Sequence, residues 1–271
     1  MFWEKIGGHF WNMNYMYKEV EKRMGTNMRG ISMNIDGIIK KVDVTTIICF
    51  ASAFVIGLIN NLSLIATSLT NPDGNIIGAY STDFIWNISI GRWGVSLISY
   101  ISNFVVYPSL ATICSIFLYS ISAAVITRML HINSTMIAAL CSACIVSFPT
   151  LIQYNTYYYA SVSFSLGFLL SISSVAFIYE SLRDNNWFMF FMAILSLVMA
   201  LAFYQAMIGT AIIFGFSVFI ADYNDFNAEE KVKTFVCISL YFVLSVIAYY
   251  FSTKVACALF MVNSANYRGG R

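Results

Sequence analysis

Seven apolar stretches dominate this chain, at about 45–69, 106–127, 134–150, 158–179, 188–204, 206–221 and 234–254, and they hold almost no charged residues. Crossing a hydrocarbon core of about 30 Å as a helix takes about 20 residues, and a helix satisfies its own backbone groups where water is absent. The alternating segments of about 10 residues that a membrane β-barrel requires are missing. With 59% hydrophobic and 10% charged residues, the composition is that of a membrane protein and not of a soluble domain, which is roughly one-quarter charged. The expected fold is all-α and polytopic, with about seven spans.

The fifth and sixth stretches are short and almost continuous. They read either as a tight helical hairpin or as one long helix, and the second option inverts everything downstream. Residues 1–44 form a polar segment that lacks the pattern of a signal peptide, and Met28 and Met33 within it leave an internal start open. With that segment in the cytoplasm and seven spans, eleven of the Lys and Arg residues fall inside and four outside, as the positive-inside rule favours. Residues 45–254 are then the transmembrane domain, 70–105 its longest outer loop, and 255–271 an extracytoplasmic tail. A net charge of +2 gives no footprint for nucleic acid. The six cysteines all lie in apolar stretches and read as small packing residues, Cys141 and Cys144 included.

The outer loop carries the residues of interest. "TNPDGN" at 70–75 is turn chemistry. From about residue 82 a helical pattern follows, with Ser89, Arg92, Ser96, Ser99 and Asn103 on one face and Trp86, Ile90, Trp93, Leu97 and Tyr100 on another. This reads as one helix lying in the outer membrane interface. Along such a helix, at about 100° per residue, Asp83 and Arg92 point in opposite directions. Asp73, in the turn upstream, is free of that restriction. Arg92 is either a cation snorkelling to the headgroups or a ligand for phosphate, whose oxygens match the guanidinium fork. Asp73 and Asp83 are turn and helix-start residues, or a general base. The tyrosines of "FPTLIQYNTYYYA" at 148–160 form an aromatic belt or a surface on which sugars stack. Gln205, in "FYQAM", joins helices or lines a polar cavity. Walker, dinucleotide-binding, zinc-spacing and Gly-x-Ser-x-Gly patterns are all missing, so a nucleotide-driven mechanism has no visible support.

"NPDG", "SIGRWGVSLI", "SFPTLIQY", "ALAFYQAMIGTAIIF" and "NSANYRGGR" follow one another in an order that resembles the O-antigen-modifying Gtr-type membrane glucosyltransferases of the GT-C architecture. The resemblance runs from about residue 40 to the end. Members of that family are usually longer, so the chain looks like an N-terminal portion of such an enzyme. The resemblance implies glucosyl transfer outside the cytoplasm, from a polyprenyl-phosphate-linked sugar to a surface glycan, in the plasma or inner membrane. Asp73 or Asp83 is then the catalytic base, and Arg92 with Arg268 binds the donor phosphate. Trp93, Gln153, Tyr154, Tyr157, Tyr204, Gln205 and Tyr267 hold the sugars. No cofactor is expected, and two outer carboxylates leave a divalent metal open. The alternatives are a lipid-linked sugar flippase, or an inactive remnant of such an enzyme.

Overall fold

A computed structural model describes residues 43–67, 84–103, 107–223, 228–263 and 265. Asp73, Asp83, Tyr267 and Arg268 lie outside the described residues. Every regular element among those described is an α-helix: α1 (Val44–Asn60), α2 (Leu62–Thr67), α3 (Phe84–Ser89), α4 (Trp93–Ile101), α5 (Pro108–Met129), α6 (Thr135–Val146), α7 (Pro149–Tyr154), α8 (Tyr158–Asp184), α9 (Trp187–Phe203), α10 (Met207–Ala221) and α11 (Ala228–Leu259). Three of them, α5, α8 and α11, are long and apolar enough to cross a membrane, whereas α1, α6, α9 and α10 are shorter apolar helices.

Small residues and self-satisfied hydroxyls let these helices pack without water. Ser115, Ser120, Ser122 and Ser245 each donate to the carbonyl four residues back, which removes a polar group from an apolar contact surface. Gly57 brings α1 so close to α5 that an added Cβ would meet Ile116. Two of the apolar stretches break near one end of the bundle. Pro149 starts α7 after the bend at Ser147 and Phe148, because proline fits a first helical position and not a helix interior. Asn61 separates α1 from α2, where its amide nitrogen donates to Gly57 and its amide oxygen accepts from Asn155. That buried pair ties the two broken helices together.

α8 is the central element and packs on α5, α9, α10 and α11. Gly167 settles how the fifth and sixth stretches are arranged, since a Cβ there would approach both Phe203 of α9 and Met207 of α10. Farther along, Tyr179 of α8 donates to the Gly215 carbonyl of α10. α9 therefore returns along α8 after the turn at Asn185 and Asn186, and α10 runs back beside it. The two form a helical hairpin, not one long helix. Between them Tyr204 takes an extended conformation.

The 84–101 segment differs from the single interface-lying helix expected from its pattern. It is two short helices folded into a hairpin, broken at Ile90–Arg92, with Gly91 at φ +84°. Contacts fix its direction. Phe84 meets Phe260 edge-on at 5.3 Å, the Cys257 thiol faces the Ile88 carbonyl, and the Tyr249 hydroxyl reaches the Gly91 carbonyl. α3 thus descends along α11, and α4 climbs back, with Ser96 donating to the Phe84 carbonyl. Gly94 sets α4 against the end of α9, where an added Cβ would lie 3.0 Å from the Ala202 backbone. Ser96 and Ser99 of the polar stripe are 2% and 6% exposed, while Leu97 and Tyr100 are 42% and 68% exposed. The stripe faces protein and the apolar face looks outward, opposite to a helix resting on a membrane surface. Because the helix is broken, the angular argument against pairing Asp83 with Arg92 no longer applies.

Candidate functional site

The hairpin tip meets the α9–α10 break, and this junction gathers the polar side chains of three distant segments. At the tip the Arg92 amide donates to the Asn87 carbonyl and the Gly91 amide to the Ile88 carbonyl. These bonds close a turn that Gly91 alone among its neighbours can adopt, since its φ is left-handed. The two outward carbonyls of the turn are capped from elsewhere. The Gln205 amide nitrogen donates to the Ile90 carbonyl at 2.7 Å and to the Tyr249 hydroxyl at 3.0 Å. Tyr249 in turn donates to the Gly91 carbonyl at 3.0 Å.

Arg92 emerges from this tip. Its Nε donates to the Gln205 amide oxygen at 3.4 Å, and its guanidinium carbon lies 4.7 Å from the centre of the Tyr204 ring. A cation over an aromatic face is attracted by the ring quadrupole. Among the described residues no carboxylate lies within ion-pair distance of Arg92, the ion pairs there being His131–Asp222 and Arg183–Asp184. The described partners of Arg92 are both neutral, an amide and an aromatic ring. Arg92 also occupies the N-cap position of α4, which has no side-chain cap. Its charge coincides with the positive end of that helix, an arrangement that draws an anion.

An aromatic wall stands beside the guanidinium. Tyr204 packs at 5.8 Å against Tyr154 and at 5.1 Å against Phe164, and Phe164 also touches Tyr154 and Tyr157. Tyr154 and Tyr204 also share a side-chain hydrogen bond. The tyrosines of 154–159 are not simply a lipid-facing belt, since Tyr158 is 3% exposed and donates to the Leu64 carbonyl.

Of the residues expected from the sequence, Arg92, Tyr154, Tyr204 and Gln205 come together, and Tyr157 joins them through Phe164. Trp93 follows Arg92 in the chain, and its indole N–H is buried without a hydrogen-bond partner. Gln153 is exposed on α7 and has no contact with the cluster in the contacts described. Both donor contacts of Gln205 go to protein groups and its oxygen accepts from Arg92, which leaves the second lone pair of that oxygen as what it can offer a sugar. Sequence reasoning missed Tyr249, Phe164 and the structural part of Gly91. Only Gly91 carried a signal, as a glycine interrupting a helical pattern.

Fold and site together define a protein that is all-helical over the described residues, with three helices long and apolar enough to cross a membrane and an arginine-centred, tyrosine-walled polar junction near one end of the bundle. A family model described as Glucosyl transferase GtrII matches residues 62–270, and the chain belongs to that family. Membership and the apolar helices together support a role in glucosyl transfer. No curated protein and no solved structure matches the chain.

Proposed function

We propose that the chain is an integral membrane glucosyltransferase of GT-C-like architecture. It takes a glucosyl unit from a polyprenyl-phosphate carrier and passes it to a surface glycan such as O-antigen. In this reading α1 with α2, α5, α6 with α7, α8, α9, α10 and α11 make seven passes, with the N-terminus cytoplasmic and the Arg92 junction extracytoplasmic. The donor phosphate binds Arg92, with Arg268 assisting. The acceptor hydroxyl attacks the anomeric carbon, and its proton goes to Asp73 or, as second choice, Asp83. The bond from that carbon to the phosphate oxygen breaks, and polyprenyl phosphate leaves with the electron pair. One displacement inverts the anomeric centre. Charge gathering on the departing phosphate is what Arg92 and the α4 N-terminus stabilise. Tyr154, Tyr157, Tyr204 and Tyr267, with Trp93, Gln153 and the Gln205 oxygen, line the path of the sugars.

The observation that carries this reading is a guanidinium held in place by neutral groups, with its terminal nitrogens hydrogen-bonded to no protein group among the described residues. Depth supports it as well. At 1.5 Å per residue, the 17 residues of α9 span about 25 Å from the His131–Asp222 end of the bundle to the Tyr204 break. That is close to a hydrocarbon thickness of about 30 Å, so a phosphate on Arg92 sits near headgroup depth on the far side.

The test supplies membranes containing the chain with radiolabelled polyprenyl-phosphate glucose and a glycan acceptor, and compares Arg92→Ala and Asp73→Asn with the parent. Transfer by the parent that is lost in both variants is the expected result. Translocation of the donor without transfer would replace this reading with a carrier, and labelling that finds Arg92 accessible from the cytoplasm would remove the extracytoplasmic reaction.

A further inference from the structure

The Arg92 turn is built from a segment that has little reason to stay closed by itself. α3 has 6 residues and α4 has 9, both well below the length at which an isolated helix is stable. The tip between them exposes two carbonyls, those of Ile90 and Gly91, at a place surrounded by apolar helices. An unpaired buried carbonyl is costly, so whatever caps these two oxygens decides whether the tip holds one shape. Both caps come from outside the hairpin. The Gln205 amide nitrogen serves Ile90, and the Tyr249 hydroxyl serves Gly91. Gln205 also donates to Tyr249, which fixes the phenol as donor toward Gly91 and joins the two caps in one relay.

The same Gln205 side chain accepts from Arg92 Nε. An arginine offers two forks, one formed by Nε with a terminal nitrogen and one formed by the two terminal nitrogens. Occupation of Nε by Gln205 leaves the terminal pair. We propose that Gln205 and Tyr249 are positioning residues: they lock the hairpin tip and thereby aim the terminal nitrogen pair of Arg92 at the phosphate of the donor. The proposal rests on the glucosyl-transfer reading for the identity of that anion, but the lock itself is a property of the chain. Tyr249 touches neither donor nor acceptor in this assignment and acts only through Arg92.

Two measurements on the full chain in lipid nanodiscs test it. In the first, hydrogen exchange of the 84–101 segment is followed in the parent, Tyr249→Phe and Gln205→Glu. The Gln205→Glu change keeps an oxygen for Arg92 and removes both N–H donors, and it serves if Tyr249→Phe does not fold. Exchange at the Gly91 and Arg92 amides should rise about tenfold, with α5 unchanged. In the second, transfer from polyprenyl-phosphate glucose is measured for Tyr249→Phe, Arg92→Ala and the double variant. Tyr249→Phe should lower kcat/KM about tenfold in the parent and by less than about twofold once Arg92 is gone. Unchanged exchange overturns the lock. Equal losses from Tyr249→Phe with and without Arg92 overturn the aiming role. A parent that transfers nothing while tip exchange rises as expected removes the glucosyl-transfer reading and leaves the lock standing.

Discussion

Gly91→Ala isolates the hairpin tip from the rest of the bundle. The φ of +84° at this position is left-handed, and alanine there costs about 1–2 kcal/mol. An added Cβ would also collide with the Tyr249 hydroxyl and lie 3.2 Å from the Gln205 amide nitrogen. Tyr249 must then retreat from the Gly91 carbonyl, and a buried carbonyl left unpaired costs about 1–3 kcal/mol more. The sum, about 2–5 kcal/mol, falls on the docking of α3 and α4. A natural reporter exists, since the Cys257 thiol on α11 is 6% exposed and faces the Ile88 carbonyl of α3 at 3.7 Å. Alkylation of Cys257 by a small membrane-permeant maleimide requires α3 to lift away. At a factor of ten per 1.4 kcal/mol, Gly91→Ala should accelerate it by roughly 30-fold to a few thousand-fold. Cys49, buried on α1, should keep the parent rate. Gly209→Ala is the control. Its Cβ meets nothing within 4 Å, and alanine in a helix is favoured over glycine by about 1 kcal/mol. The reasoning is refuted if Gly91→Ala leaves Cys257 at the parent rate, or if Cys49 accelerates equally and so reports global unfolding.

Three further outcomes are expected. Arg92→Ala should lower glucosyl transfer about 10²–10³-fold, the scale of losing a donor to developing charge, and Arg92→Lys should recover little, because an ammonium offers neither the fork nor the flat face that lies on Tyr204; a full rescue by lysine in the transfer assay would refute this. Tyr154 packs on Tyr204 and shares a hydrogen bond with it, so Tyr154→Phe should lower stability by about 0.5–1.5 kcal/mol in thermal unfolding in detergent; an unchanged midpoint would refute this. His131 pairs with Asp222 at 3.3 Å, but its side chain is 71% exposed, so His131→Ala should change stability by less than about 1 kcal/mol in the same unfolding measurement.

What the sequence made legible follows from where the controlling physics is local. Apolar stretches report helices because burial in lipid or core needs little more than composition, and the seven stretches do coincide with α1 through α11 outside the hairpin. Pro149 marks its own break, because a missing N–H is written in the residue. The 84–101 segment is the opposite case. Its serines and tryptophans repeat at helical spacing on both sides of Gly91, so periodicity alone continues the helix through a turn. Whether a glycine bends the chain depends on what donates to the carbonyls it exposes, and those donor partners, Gln205 and Tyr249, are more than a hundred residues away.

Tyr249 shows the limit most sharply. It neighbours Tyr250 in a run that offers no reason to prefer either. Yet Tyr250 is 58% exposed, while Tyr249 closes the tip. One residue turns a helix by about 100°, so the distinction lies in how α11 is rotated against α3, which is a property of packed neighbours. The same dependence explains the stripe on α4. Its spacing was readable, but the side it faces was not, because an isolated amphipathic pattern does not say whether water or protein meets the polar face. In an apolar solvent the usual answer reverses: hydroxyls seek other protein groups and apolar side chains stay outside, as the exposed Leu97 and Tyr100 side chains do here. A membrane chain with a polar stripe next to an interrupting glycine is therefore better read as a hairpin entering the bundle than as a helix floating on its surface, and Arg92 is placed by that entry at the α9–α10 break.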